Sequence, residues 1–326
     1  MKLSTEKNYA QAMSTYMETR WKQKEEGLFS GVDNKSLAYM SLCGFNQKSQ
    51  AIVFISGRNE SYLKYKELFW EFTENGYDVF SYDHRGQGLS ERVTEDIEIG
   101  HVDNFYDYVD DLQIFMQQIV MPKKYRQLYL VMHSMGGLVG LLYSQRHPSS
   151  FTRIACFSPM LGIHLSIFNR KYALYLSKFL AKRANKPTYA PTVGPYKESA
   201  FRGNTLTSCR CRYDFFQELK RHHLKMRIGG PSSWWIYQSL KAGLDIQQQP
   251  LNIKVPVLLF QSGKDKVVDN KAQNEFIEHL KTVNCQVDFE FVAGAQHEIF
   301  FEADQYRIPA IRKLFHFLQY DGNSLK

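Results

Sequence analysis

No run of eighteen or more apolar residues occurs in the 326-residue sequence, so no membrane-spanning helix is expected. The amino-terminal stretch MKLSTEKNYAQAMSTYMETRWKQKEEGLF also lacks an apolar segment ahead of a small-residue cleavage site. It is charged, reads as helical, and gives no reason to expect a secretory leader. Cysteine is scarce. The five present (Cys43, Cys156, Cys209, Cys211 and Cys285) form no ligand pattern: Cys209 and Cys211 stand closer than the usual metal knuckle, and no His or Cys pair of matching spacing follows them. No metal site and no cofactor are therefore expected. An odd count without a leader fits reduced thiols in a reducing compartment, so the expected location is cytoplasmic. Internal repeats and low-complexity linkers are absent as well.

What is present fits a globular chain, with 44% hydrophobic and 23% charged residues. The length suits one core domain carrying a substantial insertion. The formal charge of +8 is unevenly spread. Residues 164–230 hold fourteen Lys or Arg against three acids, a local net of +11, so the rest of the chain carries −3. The basicity belongs to one segment.

From residue 51 onward, short apolar runs alternate with amphipathic stretches. AIVFIS (51–56), YDVFSY (77–82), QLYLVM (127–132) and TRIACF (152–157) read as buried parallel strands, with helices over about 60–75, 104–119 and 136–147 between them. After Pro159 the alternation stops for about ninety residues. It resumes with a strand at VPVLLF (255–260), a helix over about 270–281, a strand at CQVDFEFV (285–292) and a last helix over about 304–319. This order predicts a mostly parallel central sheet with helices on both faces. The core spans 1–159 and 250–326, and residues 160–249 form an inserted, mainly helical cap.

The strongest local signal is VMHSMGG (131–137), where a strand runs into Ser134 and a helix starts at once with Gly136 and Gly137. This is the nucleophile elbow of an α/β-hydrolase fold, which lifts a serine hydroxyl above the sheet edge. Alone, a serine before two glycines is an ordinary N-cap. Its partners appear in the order the fold requires, Asp265 after a later strand and His297 after the last one. Asp269 is a second candidate acid, but it precedes a helical run and has a capping role available. Gly57 in ISGRNES lets the chain turn after the first strand of the alternation, so the backbone N–H groups of Arg58 and Met135 can form an oxyanion hole. DHRGQGLS (83–90) reads as a structural turn tied by Asp83, His84 and Arg85; it lacks the spacing of a phosphate loop.

GRNESYLKY, YDHRGQGLSER, GHVDNFYDYVDDL, HSMGG, RIGGPSSWW and VVDN, in this order, resemble the bacterial lysophospholipase L2 family, which belongs with the monoacylglycerol-lipase-like serine hydrolases. The similarity runs from about Trp21 to about Phe317. The resemblance implies hydrolysis of the remaining acyl ester of a lysophospholipid, releasing a fatty acid and a glycerophosphodiester. It also implies Ser134 as nucleophile, Asp265 as acid, His297 as base, and the Arg58 and Met135 backbones as oxyanion donors. Glu60 matches an acidic residue that shapes the site. One departure stands out: Met132 occupies the first glycine position of G-x-S-x-G, next to the following helix.

The insertion is expected to select the substrate. In KYALYLSKFLAKRA, Tyr172, Tyr175, Leu176, Phe179 and Leu180 fall on one helical face, and Lys171, Lys178, Lys182 and Arg183 mainly around the other. Such a helix can rest peripherally on an anionic membrane at its inner face or pack on the core. Arg210, Arg212 and Arg227 are candidates for a phosphate headgroup, since guanidinium binds phosphate bidentately. A monoacylglycerol lipase or general carboxylesterase would use the same triad, while a non-catalytic relative would be expected to lack one of its members. Dehalogenase or epoxide hydrolase chemistry needs a carboxylate where Ser134 stands. Nucleic-acid binding has only the basic segment in its favour, with no stacking or groove-reading motif.

Overall fold

Gln50–Ile55 is apolar on both faces, and the fold uses both: Ala51, Val53 and Ile55 enter one hydrophobic cluster, Ile52 and Phe54 the other. That is the pattern of a parallel strand covered on each side. A computed structural model describes residues 1–44, 49–164, 170–183, 185–249, 251–283 and 286–319; Cys285 lies outside them. The strands are β1 (Glu25–Ser30), β2 (Ser36–Leu42), β3 (Gln50–Ile55), β4 (Asp78–Tyr82), β5 (Gln127–His133), β6 (Arg153–Phe157), β7 (Val257–Ser262) and β8 (Val287–Val292). They form one sheet in the order β1-β2-β4-β3-β5-β6-β7-β8. β2 pairs antiparallel with both neighbours, and the pairs from β4 to β8 are parallel.

The helices are α1 (Tyr9–Ser14), α2 (Tyr16–Trp21), α3 (Lys66–Glu74), α4 (Tyr106–Phe115, extended by a π turn over Met116–Val120), α5 (Met135–Arg146), α6 (Arg170–Arg183), α7 (Arg210–His222), α8 (Ser233–Gln248), α9 (Asn270–Lys281) and α10 (Asp304–Gln319). Leu68, Phe69 and Phe72 of α3 and Ile311, Leu314 and Phe315 of α10 cover one sheet face. α4, α5 and α9 cover the other, through Leu112, Leu138 and Phe276 among others. The mostly parallel α/β architecture read from the sequence is therefore present, and helices α6 to α8 occupy the chain between β6 and β7.

Two readings need correction. The helical reading of the amino terminus holds only to Trp21, because Glu25–Ser30 is a strand. The signal was weak: β1 is an edge strand burying only Phe29, with Leu28 exposed, so alternation is barely visible. The sheet thus begins with an antiparallel hairpin, ahead of the alternation detected from residue 51. Arg212, expected to meet a headgroup, is fully buried. Its guanidinium holds Glu67 of α3 through two hydrogen bonds of 2.8 Å and Asp304 through one of 3.0 Å. Arg307 holds Glu71 at 2.9 and 2.7 Å beside it. These five charges fasten α7 to α3 and α10, and a buried guanidinium so engaged offers nothing to a ligand.

Replacing Arg212 with Met leaves the Glu67 carboxylate with the Ser4 hydroxyl and the weaker 3.7 Å contact to Arg307. The expected destabilisation is about 3–5 kcal/mol, read as a lower urea midpoint; an unchanged midpoint would show that the cluster does not anchor α7.

Candidate active site

All the parallel strands end on one edge of the sheet, and their terminal loops gather there. β5 runs straight into α5 through Ser134, whose backbone adopts φ 52°, ψ −117°, a region L-residues rarely occupy. The turn is tight. A side chain at Gly136 would come within 2.4 Å of the Ile55 carbonyl and 2.5 Å of the Ser56 carbonyl, so only glycine fits. The Met132 departure has its counterpart in the same helix: Met132 Sδ fills the space a Cβ at Gly140 would need, at 1.9 Å. The bulk has moved from helix to strand, and the elbow keeps its shape.

His297 Nε2 accepts the Ser134 hydroxyl at 2.9 Å, and His297 Nδ1 donates to Asp265 Oδ2 at 2.7 Å. The tautomer satisfying both contacts carries its proton on Nδ1. Asp265 Oδ1 accepts the N–H groups of Val267 and Val268 at 2.8 and 3.0 Å. Burial pushes its carboxyl upward, but the hydrogen bond and charge of His297 and those two N–H groups hold it below the ordinary value. Asp269 instead caps α9, accepting from the Lys271 N–H at 2.9 Å.

Opposite Ser134, the backbone N–H groups of Arg58 and Met135 meet no acceptor among the described residues, the state required of oxyanion donors. The turn carrying Arg58 is braced from three sides. Glu60 accepts the Gly57 N–H at 2.5 Å. Gln87, in the DHRGQG turn, donates to the Gly57 and Glu60 carbonyls at 2.8 and 3.0 Å and accepts the Asn59 N–H at 3.1 Å. Asp83 ties that turn down by accepting from Ser61, Tyr62 and Leu89, and Arg85 pairs with Asp111.

Glu60 is also the hub of a buried charge network. It accepts from Lys64 at 2.8 Å, Tyr65 at 2.5 Å and His133 at 3.1 Å, while Lys64 reaches Glu298 at 2.7 Å. Burial opposes ionisation of Glu60, yet Lys64 and His133 keep its carboxyl well below the usual range. Burial likewise opposes charge on His133, and Glu60 more than compensates, raising its pKa. The His133 Nε2 lies 3.4 Å from the His297 carbonyl, so this network joins the Arg58 turn to the loop bearing His297. Sequence reasoning missed Lys64, Gln87 and His133. The i, i+4 spacing of Glu60 and Lys64 was the one local hint.

A cavity of about 280 Å³ opens at Ser134 and His297, walled by Met160, Ile163, Phe216, Trp235 and Val267 with Arg58 and Lys220. None of Arg210, Arg212 and Arg227 lines it. Arg210 is exposed and pairs with Asp214 at 2.6 Å, and Arg227 donates to the backbone carbonyls of Lys220 and Arg221. Among the described residues, Glu6, Cys209 and Cys211 form a group with donor atoms within 4.8 Å of one another, a proximity invisible in sequence. They lie outside the cavity, and the Arg212 guanidinium stands 3.6 Å from Cys209 Sγ, a positive charge that opposes a cation there.

A family profile described as serine aminopeptidase, S33 matches residues 46–304. Lysophospholipase L2 of Escherichia coli (strain K12) is 35% identical over 300 residues, 91% of this chain and 88% of that protein. The chain belongs to the serine aminopeptidase S33 family and, within it, to the lysophospholipase L2 group. Probable lysophospholipase L2 of Haemophilus influenzae is 30% identical, over 89% of this chain and 90% of its own. A solved structure of a soluble variant of monoglyceride lipase from Saccharomyces cerevisiae, with a substrate analog, aligns at TM-score 0.71 and 19% identity, covering 90% of this chain and 95% of that one. At that identity the likeness speaks for the fold.

Gly140→Ala should destabilise the protein by about 1–3 kcal/mol through overpacking against Met132. Met132→Ala in the same background should recover part of that loss, which a double-mutant cycle by urea denaturation reads directly. Strict additivity would show that the two positions do not share the space.

Proposed function

We propose that the protein hydrolyses the single acyl ester of lysophospholipids, with Ser134 as nucleophile, His297 as base and Asp265 orienting the base. The observation that carries the chemistry is the unbroken relay from Ser134 Oγ through His297 to Asp265, at 2.9 and 2.7 Å. His297 takes the hydroxyl proton as Ser134 attacks the ester carbonyl. The Arg58 and Met135 N–H groups receive the oxyanion, each worth ~3 kcal/mol of barrier. The tetrahedral intermediate collapses when His297 protonates the departing alkoxide, leaving an acyl-serine. Water then gives His297 a proton as it attacks the acyl carbon, and the fatty acid leaves as Ser134 is reprotonated. Membership in the lysophospholipase L2 group favours a lysophospholipid over a neutral glyceride. Residues 160–249 are taken as the cap that makes this choice.

Ser134→Ala should abolish both fluorophosphonate labelling and ester turnover, and Asp265→Asn should lower kcat by about 10⁴-fold through loss of the correct tautomer. Rates on lysophosphatidylethanolamine, monoacylglycerol and p-nitrophenyl esters of one chain length decide the substrate class. Faster turnover of the neutral glyceride would make the protein a monoacylglycerol lipase.

We infer also that α6 rests on an anionic membrane surface. No helix among the described residues is long and apolar enough to cross a membrane, so the contact is peripheral and, given the reduced thiols expected from the sequence, on the cytoplasmic face. On that face Tyr172, Tyr175, Leu176 and Phe179 are exposed and Leu180 is half-buried, against the packed alternative for most of it, and Lys178, Lys182 and Arg183 share the helix with them; the Lys171 side chain lies outside the described residues. Exposed aromatics beside cations match the interface of an anionic bilayer. Vesicles rich in phosphatidylglycerol should sediment the wild-type protein. Tyr175→Ser with Phe179→Ser should release it, and equal sedimentation of both would refute the contact.

A further inference from the structure

Lys220 and Arg58 line the cavity at Ser134, and neither meets a carboxylate among the described residues. Lys64 takes both available acids, Glu60 and Glu298. Lys220 is 6% exposed, and its ammonium makes no hydrogen bond and no ion pair among the described residues. What surrounds it is aromatic: Nζ lies 4.1 Å from the Phe216 ring centre and 5.6 Å from that of Tyr196. Lys64 sits 4.4 Å from the same Phe216 ring, so the two ammonium groups repel. Arg58 is similar. Its Nη2 donates to the Gly229 carbonyl at 2.7 Å and its plane lies over Trp235 at 5.2 Å, but Nε is buried without a partner among the described residues.

A buried ammonium with no acceptor is costly, and cation–π contact offsets only part of that cost. Burial and the neighbouring Lys64 pull the Lys220 pKa down to about 8, outweighing the upward pull of Glu298 and Glu60, the response of a charge with no direct counter-ion. The position gives that charge a use. Lys220 lines the small apolar cavity containing Ser134 and also an adjoining polar groove of about 710 Å³ walled by Asn59, Tyr196, Arg202 and Leu206. It stands where an apolar chain beside the nucleophile would meet a polar headgroup leaving toward the groove.

We propose that Lys220, with the Arg58 guanidinium, forms an anion subsite that takes the phosphodiester of a single-chain phospholipid while its acyl ester lies at Ser134. The subsite rests on the lysophospholipase reading and names what selects that substrate. It supplies the anion with two charge-assisted donors, where a neutral glyceride leaves both unsatisfied and so gains less.

The test compares wild type, Lys220→Met and Lys220→Arg on short-chain, monomeric lysophosphatidylethanolamine and on monoacylglycerol of the same acyl chain. The ratio of kcat/KM between the two substrates should fall at least about tenfold in Lys220→Met, the effect of one lost charge-assisted hydrogen bond, mainly through KM. Lys220→Arg should restore part of it. An unchanged ratio, or an equal fall on both substrates, overturns the subsite. If wild type does not cleave the lysolipid at all, the substrate reading fails separately. The subsite then stands or falls on inhibition of p-nitrophenyl ester hydrolysis by glycerophosphoethanolamine, which must weaken at least about tenfold in Lys220→Met. Inhibition by inorganic phosphate alone would overturn the headgroup assignment in favour of a free anion.

Discussion

The backbone of Ser134 is the constraint around which the rest is arranged. Its φ of 52° and ψ of −117° carry strain of order 1–3 kcal/mol, and several neighbours must hold it. Its own N–H donates to the Phe157 carbonyl on β6, and its carbonyl accepts from Met160. Gly136 lets α5 lie against the end of β3. The hydroxyl is thereby held where the β7 and β8 loops bring Asp265 and His297, and the Met135 N–H is left without an acceptor. A relaxed backbone at Ser134 would direct the hydroxyl elsewhere, away from His297 and Asp265.

Two buried charge clusters do the remaining fastening, and they serve different ends. Glu60, Lys64, Glu298 and His133 join the Arg58 turn to the loop of His297. Glu67, Glu71, Arg212 and Arg307 join α7 to α3 and α10. Ion pairs of this kind add little net stability compared with apolar packing, but losing one member is severe. They therefore act as registers: elements far apart in sequence dock in one arrangement or leave charges stranded. Because α7 carries Phe216 and Lys220 into the cavity wall, the second cluster sets the shape of the first cluster's surroundings.

The charge distribution follows the same division. The basic segment contributes one buried anchor at Arg212, one half-buried side chain at Arg227 and an exposed pair at Arg210, besides the unpartnered ammonium of Lys220. These four differ little as letters in a sequence. Their roles are set by what surrounds each guanidinium or ammonium, which is why the sequence reading chose three arginines and passed over the lysine.

By itself the sequence determined the alternating elements from β3 onward, because buried parallel strands are apolar on both faces and leave an unmistakable run. It also singled out Ser134, Asp265 and His297, since each follows a strand in an order the parallel sheet converts into proximity. It did not reveal β1, an edge strand with one buried side chain, nor how Met132 is tolerated, since Gly140 lies eight residues away on another element. The partners of Glu60, Arg212 and Lys220 were likewise decided by tertiary structure alone. An apolar pattern is a local property of the chain, whereas the effect of a charge depends on the distance and burial of groups that only the fold brings near.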